Sequence, residues 1–509
     1  MILREEVFSV KRIFLVLILV ALITGVAISG AFSSLDDSRT RQVILERWET
    51  ELLRLMEEWM IPGMTAGIVY KGEVIFEKAF GVTDLSTMEP VDLNTLFQIG
   101  STTKAFTSAL AAILIQEGLF SWKDRVIDLF PEFRMQDTFA QENFLVEDLM
   151  AQHSGLYPYA GDVLAMWGFG REKVLEALPY MRPLYSFRAG YSYVNNLFVV
   201  VEEIMMRKTG KEYAELLNEK LFEPLGMHSS LATIDEFLEA SNKVTLHMYD
   251  PTGPIAIDPN EHFIRWVEPV FPAGGIASNI PDMLRWVNMH LNLGKVDGKR
   301  LIPEEEILFM HSPRTIVYGN SLEPIRAYCQ AWVYEEFEGQ KLIWHNGDTS
   351  GCHTMVLMIP QAQLGIVILS NVGGQSVPDF LAKAFVQLAI GREPSLLKNL
   401  QVPAVVKDHP ERRVYPHLPL EEYEGLYYNE LFETVFVETD GTKLTGRAVG
   451  GSLHLTFEHV TRDLFDVHIL PYLKGIHQVS FLLNDQGRVE GLLLWEPSSA
   501  DPYWFERKE

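Results

Sequence analysis

At 509 residues the chain is too long for one ordinary domain, and 47% hydrophobic with 22% charged residues is the makeup of a globular protein, not of a disordered or collagen-like one. The net charge of -25 argues against nucleic acid as a partner, because holding phosphates needs an excess of Lys and Arg. Two cysteines, Cys329 and Cys352, are too few for a disulfide framework or a structural zinc site, and leave either one bridge or two buried small side chains.

Arg4, Lys11 and Arg12 precede an uncharged apolar run over residues 13–32, followed by Ser33, Ser34, Asp36 and Asp37. Basic, then apolar, then acidic: this order predicts an export segment over residues 1–35. The run is long enough to span a bilayer, and Ser29-Gly30-Ala31 offers small residues for cleavage, so anchor and cleaved signal both stay open. Either way the rest of the chain is expected outside the cytoplasm, whether periplasmic, extracellular or membrane-anchored.

Over residues 41–60 Val43, Ile44, Trp48, Leu52, Leu55, Met56 and Trp59 recur at helical spacing, and Pro62-Gly63 ends the pattern. Residues 65–70 and 73–80 flank Lys71-Gly72 and read as a β-hairpin. A helix is expected to open at Ser101 and close at Glu117-Gly118. Helical patterns broken by prolines fill residues 120–310. Strand signals return over 328–344, 354–359 and 365–369, before a helix over 377–388. Strands at both ends of residues 41–392 predict one sheet around an inserted helical subdomain. Residues 393–417, with several prolines and charges, read as a linker. Short alternating runs over 418–509 predict an all-β domain, either a small barrel or a sandwich.

Ser101-Thr102-Thr103-Lys104 sets a hydroxyl and an amine one helical turn apart. A helix opening also offers free N–H groups to a developing oxyanion. SxxK alone is weak, and Ser395-Leu396-Leu397-Lys398 repeats it in the linker, where no enclosed site is expected. Tyr193-Val194-Asn195 and, on a strand-like segment, His345-Asn346-Gly347 follow in order. The literal Lys208-Thr209-Gly210 reads instead as a helix end, with a last-turn cation and a terminating glycine.

This ordered set resembles the serine β-lactamase and penicillin-binding-protein group, in its class C β-lactamase, D-aminopeptidase and esterase branch. The phrases Gln152-His153-Ser154-Gly155-Leu156, Ala273-Gly274-Gly275-Ile276-Ala277-Ser278 and Leu369-Ser370-Asn371 carry the likeness further along the chain. Tyr423-Glu424-Gly425-Leu426-Tyr427 resembles the start of a lipocalin-like domain found after some members. The resemblance implies an α/β (α+β) fold, with an antiparallel sheet flanked by helices, an inserted all-helical subdomain and a following small all-β barrel.

It also implies roles. Ser101 would be the nucleophile, Lys104 would lower its proton affinity, and Tyr193, its phenol acidified by the Lys104 cation, would relay the proton. Asn195, His345 and Gly347 would bind substrate, His345 by holding a carboxylate or supporting the tyrosine. The amides of Ser101 and Asp348 would form the oxyanion hole, with no metal or cofactor. Two residues depart from the pattern: His345 titrates where a permanent cation is usual, and Asp348 puts an acid beside the oxyanion hole, pointing away from the Gly347 face on an extended strand. The implied activity is hydrolysis of a small-molecule, peptide or ester substrate, of D-aminopeptidase, carboxypeptidase or esterase type, in a possible homo-oligomer. The alternative is a non-catalytic, membrane-tethered binding or assembly module on the same fold.

Overall fold

A computed structural model describes residues 31–250, 252–258, 262–320, 322–400, 416–449, 452–469, 477–495 and 501–508. The apolar N-terminal run up to Gly30, residues 401–415 of the expected linker and the Gly450-Gly451 turn lie outside these residues.

Helix α1 (Ser38–Glu58) begins where the Asp37 carboxylate accepts from the Thr40 amide at 2.8 Å, satisfying a donor that the helix itself leaves orphaned. Its stripe of Ile44, Leu45, Trp48, Leu52, Leu55 and Met56 is buried. Strands β1 (Gly63–Tyr70) and β2 (Glu73–Gly81) follow, turning at Lys71 and Gly72, both at positive φ. All of β1 is buried, as a strand covered on both faces must be, whereas β2 is an edge with exposed residues.

Over 82–314 the described residues then form helices α2 (Thr103–Gln116), α3 (Asn196–Thr209) and α4 (Ile280–Leu291), several shorter helices and three two-stranded pairs. The chain returns to the sheet through β3 (Thr315–Asn320), β4 (Glu323–Tyr328), β5 (Val333–Phe337), β6 (Gln340–Asp348), β7 (His353–Ile359) and β8 (Leu364–Ser370), and ends this part with α5 (Val377–Ala389). The sheet runs β2-β1-β8-β7-β6-β5-β4-β3 with every pair antiparallel, so its two chain halves meet where Ala66 faces Ile368. Helices α1 and α5 cover one face. Trp48 is the pin there: its Nε1 donates to the Leu381 carbonyl at 2.9 Å, and its ring meets Phe76 and Phe385 edge-on. On the other face α4 packs on β1 and β8, and Trp286 of α4 stacks on Phe106 of α2 at 3.8 Å.

Strands β9 (Gly425–Asn429), β10 (Glu433–Thr439), β11 (Leu444–Ala448), β12 (Leu453–Thr461), β13 (Leu464–His468), β14 (His477–Leu483), β15 (Val489–Trp495) and β16 (Tyr503–Lys508) form a closed barrel. Closure pairs β16 with β9, Tyr427 opposite Arg507, and so leaves no free edge. Tyr423, Tyr427, Phe465 and Phe481 fill the interior in mutual ring contact. The barrel leans on the helical insert through Phe432, whose ring lies 5.1 Å from Trp167, and through Tyr180, whose hydroxyl donates to Glu430. Cys329 and Cys352 are both free and buried, which removes the single-bridge alternative.

Candidate active site

Ser101 sits in a 3-10 turn, Gly100–Thr102, that leads into α2. The α-helix itself opens two residues later than expected, yet Lys104 keeps its place one turn from the serine. The approach to Ser101 is pinned by Phe97–Gln98 pairing with Ala277–Ser278, and by the Ile99 amide donating to the Ile276 carbonyl at 2.9 Å. Lys104 Nζ donates to Ser101 Oγ at 3.1 Å and to the Ala273 carbonyl at 2.7 Å. The lysine is fully buried, and loss of solvation pushes its ammonium down to about 7, against an opposing pull from Asp162.

Tyr193 lies just before α3, with Lys104 Nζ 4.8 Å from its ring centroid. Its phenol shares a hydrogen bond with the Ser101 side chain, and enclosure of the hydroxyl holds it well above the ordinary phenol range. The expected acidification by Lys104 is thus overturned: the amine faces the ring, and desolvation outweighs every lowering influence. Tyr193 stands protonated.

Asn195 Nδ2 donates to Asp162 Oδ2 at 2.5 Å. Asp162 Oδ1 and the Asn195 side-chain oxygen have no partner among the described residues. Asp162 opens the short helix Asp162–Trp167 and is buried, which pushes its carboxyl up to about 7 although Asn195 and Lys104 both favour the charged form.

His345, on β6, is buried. Its Nδ1 faces the Asn346 carbonyl at 2.6 Å and its Nε2 the Tyr328 hydroxyl at 2.9 Å. A carbonyl can only accept, so Nδ1 carries the proton and Nε2 accepts from Tyr328. Burial and the nearby Lys104 charge push His345 down to about 3. The titrating cation expected here is therefore a neutral ring with both nitrogens engaged, and the tyrosine it supports is Tyr328, not Tyr193.

Two glycines let the end of β6 touch the serine turn. A Cβ at Gly347 would meet the Ile99 carbonyl oxygen at 2.0 Å and the Ser101 nitrogen at 2.9 Å, and one at Gly100, whose φ is +53°, would meet the Asp348 nitrogen at 2.7 Å. The Ser101 and Asp348 amides thereby come side by side. The Asp348 carboxylate is held by two loops: the Ser350 amide of the loop after β6 donates to it at 2.7 Å and the Gly374 amide of the loop after β8 at 2.8 Å. Ser101, Tyr193, Asn195, His345 and Asp348 line one cavity of about 390 Å³, whose wall also carries the aromatic rings of Tyr159, Tyr191, Trp266, Tyr328 and Trp344 and the charged side chains of Asp162 and Arg326. Lys208 and Gly210 close α3, with Gly210 at φ +68°, as read from the sequence. Among the described residues no cluster of His, Cys, Asp or Glu is arranged to hold a metal ion.

The beta-lactamase family model matches residues 48–390, which include the sheet, the insert and this cavity. The chain belongs to the beta-lactamase family. A second model, a domain of unknown function (DUF3471), matches residues 409–507. The unguisins hydrolase ungD' of Aspergillus campestris is 24% identical over 493 residues, covering 89% of this chain and 90% of its own. Penicillin-binding protein 4 of Amycolatopsis lactamdurans is 23% identical, covering 64% of this chain and 85% of its own. The octameric penicillin-binding protein homologue from Pyrococcus abyssi shares the fold, with a TM-score of 0.59 at 22% identity over 91% of this chain and 99% of that one.

In this beta-lactamase family chain, Asp162 is the charged cavity residue facing Lys104 that the sequence does not announce, as it does not announce Tyr328 beside His345. The only local signal for Asp162 is an acidic residue in the first turn of a helix, an ordinary place for one. Nothing in the spacing says that it will face Lys104.

Proposed function

We propose that this chain is a serine hydrolase that cleaves peptide, amide or ester bonds through an acyl-enzyme on Ser101. The observation that carries the reading is a fully buried lysine whose Nζ lies 3.1 Å from the Ser101 hydroxyl. A desolvated amine near neutrality is a base, and a serine needs one.

In this reading neutral Lys104 takes the proton from Ser101 as Oγ bonds to the substrate carbonyl carbon. Charge developing on the carbonyl oxygen falls to the Ser101 and Asp348 amides. Collapse breaks the bond to the leaving group, which receives its proton through the Tyr193 phenol, and Lys104 returns a proton to that phenol. Water then repeats the sequence on the acyl carbon and frees Ser101. Tyr193 acts as a proton relay, in keeping with its raised phenol, and Lys104 is the base.

Neutral His345 counts against a carboxypeptidase that would hold a terminal carboxylate through it, and so favours the aminopeptidase or esterase types. The order of charges in residues 1–35 supports action outside the cytoplasm. The octameric state of the Pyrococcus abyssi homologue supports a homo-oligomer.

Turnover of p-nitrophenyl esters, D-amino-acid amides and nitrocefin by the wild type and by Ser101→Ala tests the proposal. Hydrolysis of at least one class, lost in the variant, is expected. No turnover by the wild type, with partner binding indifferent to Ser101→Ala, would favour the assembly module instead.

A further inference from the structure

We propose that His353 is a positioning residue: an imidazolium held between Asp348 and Asp379 that neutralises the acid beside the oxyanion hole and fixes the Asp348 amide in place. The inference rests on the Ser101 acyl-enzyme reading.

Asp348 ends β6, and its amide is one of the two that converge at the serine turn. An unbalanced carboxylate on the same residue would oppose the negative charge that this amide must stabilise. The structure supplies a counter-charge. His353, the first residue of β7 and opposite Asp348 in the sheet register, sets its Nδ1 3.0 Å from Asp348 Oδ2 and its Nε2 2.6 Å from Asp379 Oδ2. Ionised carboxylates only accept, so both ring nitrogens must donate, and only the imidazolium has two N–H groups. His353 is 5% exposed and Asp379 is largely covered, so water is kept from the ring and that bond is strengthened.

Three anchors then hold Asp348: the His353 ring, the Ser350 amide and the Gly374 amide. They leave its side chain no freedom to swing the backbone N–H away from the serine. Asp379 stands in the first turn of α5, so the clamp ties the oxyanion-hole strand to a helix on the sheet's far side. On β8, Ser370 Oγ donates to the His353 carbonyl and adds no charge. Asp348 and Asp379 are the charged groups that act on the ring, and against the desolvation cost they raise it to about 10.

The experiment measures kcat and KM for a p-nitrophenyl ester with wild type, His353→Gln and Asp348→Asn/His353→Gln, beside Ser101→Ala, with near-UV circular dichroism as the fold check. His353→Gln is expected to lower kcat by about 10- to 100-fold with KM little changed, because the loss is at the transition state. The double variant should recover part of that loss, since the amide at 348 no longer carries the uncompensated charge. A merely structural histidine would not give this rescue. Unchanged kcat in folded His353→Gln, or a double variant no better than the single one, beside an inactive Ser101→Ala, overturns this proposal alone. Activity surviving in Ser101→Ala overturns the acyl-enzyme reading and this proposal together. If His353→Gln does not fold, Asp379→Asn decides. Loss of that carboxylate lowers the imidazolium's pKa, so the alkaline limb of kcat should move to lower pH, and an unmoved limb overturns the proposal.

Discussion

Lys104 brings its Nζ to 3.1 Å from Ser101 Oγ while the whole lysine is closed off from solvent. Surface lysines stay charged near neutrality. This one is pushed to about 7 by burial, and among the described residues Asp162 is the charged group that pulls it back up.

Activity should therefore rise with pH through about 7 as the free amine forms. The limb belongs to the coupled Lys104–Asp162 pair. Asp162→Asn removes the charge that favours the ammonium, so the amine stays neutral to lower pH and the acid limb should move down. The pH profile of kcat/KM for wild type and variant checks this, and an upward shift would contradict it.

Lys104→Met keeps the volume and removes the amine. It should lower kcat by about 10²–10⁴-fold, the usual worth of a positioned base. Thermal unfolding should show no loss of stability, and a gain is expected, because a desolvated amine is exchanged for an apolar chain. A fall in kcat of only a few fold would mean that Lys104 is not the base.

Gly347→Ala places a methyl group 2.0 Å from the Ile99 carbonyl oxygen, and backbone must give way. The shift separates the Ser101 and Asp348 amides, so the expected cost is about 10²–10³-fold in kcat, the measure of one lost oxyanion donor. Burst kinetics with a chromogenic ester would show whether acylation is the step that suffers.

Much of the site is legible in the sequence because its chemistry is local or ordered. The hydroxyl and amine must lie one turn apart, and Tyr193 and His345 stand out by their order behind them. Asp162 and the Asp348–His353–Asp379 clamp are not legible, since each joins segments that only folding brings together. The protonation states of Tyr193 and His345 are hidden for a related reason: burial decides both, and single residue types carry no record of it. In the fold, strand signals begin at Tyr328 and pass over the hairpin of β3 and β4. Ile316, Tyr318 and Leu322 there are exposed, so that edge shows no core-facing pattern.

Trp48 joins α1 to the sheet and to α5 by one hydrogen bond and two ring contacts. Trp48→Ala should cost about 3–5 kcal/mol of stability through the cavity it leaves. Urea unfolding checks the size of the loss. At low temperature the folded fraction should keep wild-type KM, because Trp48 lies on the sheet face opposite α2.

The most direct test is to treat the protein with a fluorophosphonate or penicillin-type probe and locate the adduct by peptide mass spectrometry. One adduct, on Ser101, lost in Ser101→Ala and formed far more slowly in Lys104→Met, is the predicted result. Modification of a different residue, or equally fast modification without the Lys104 amine, would contradict the account.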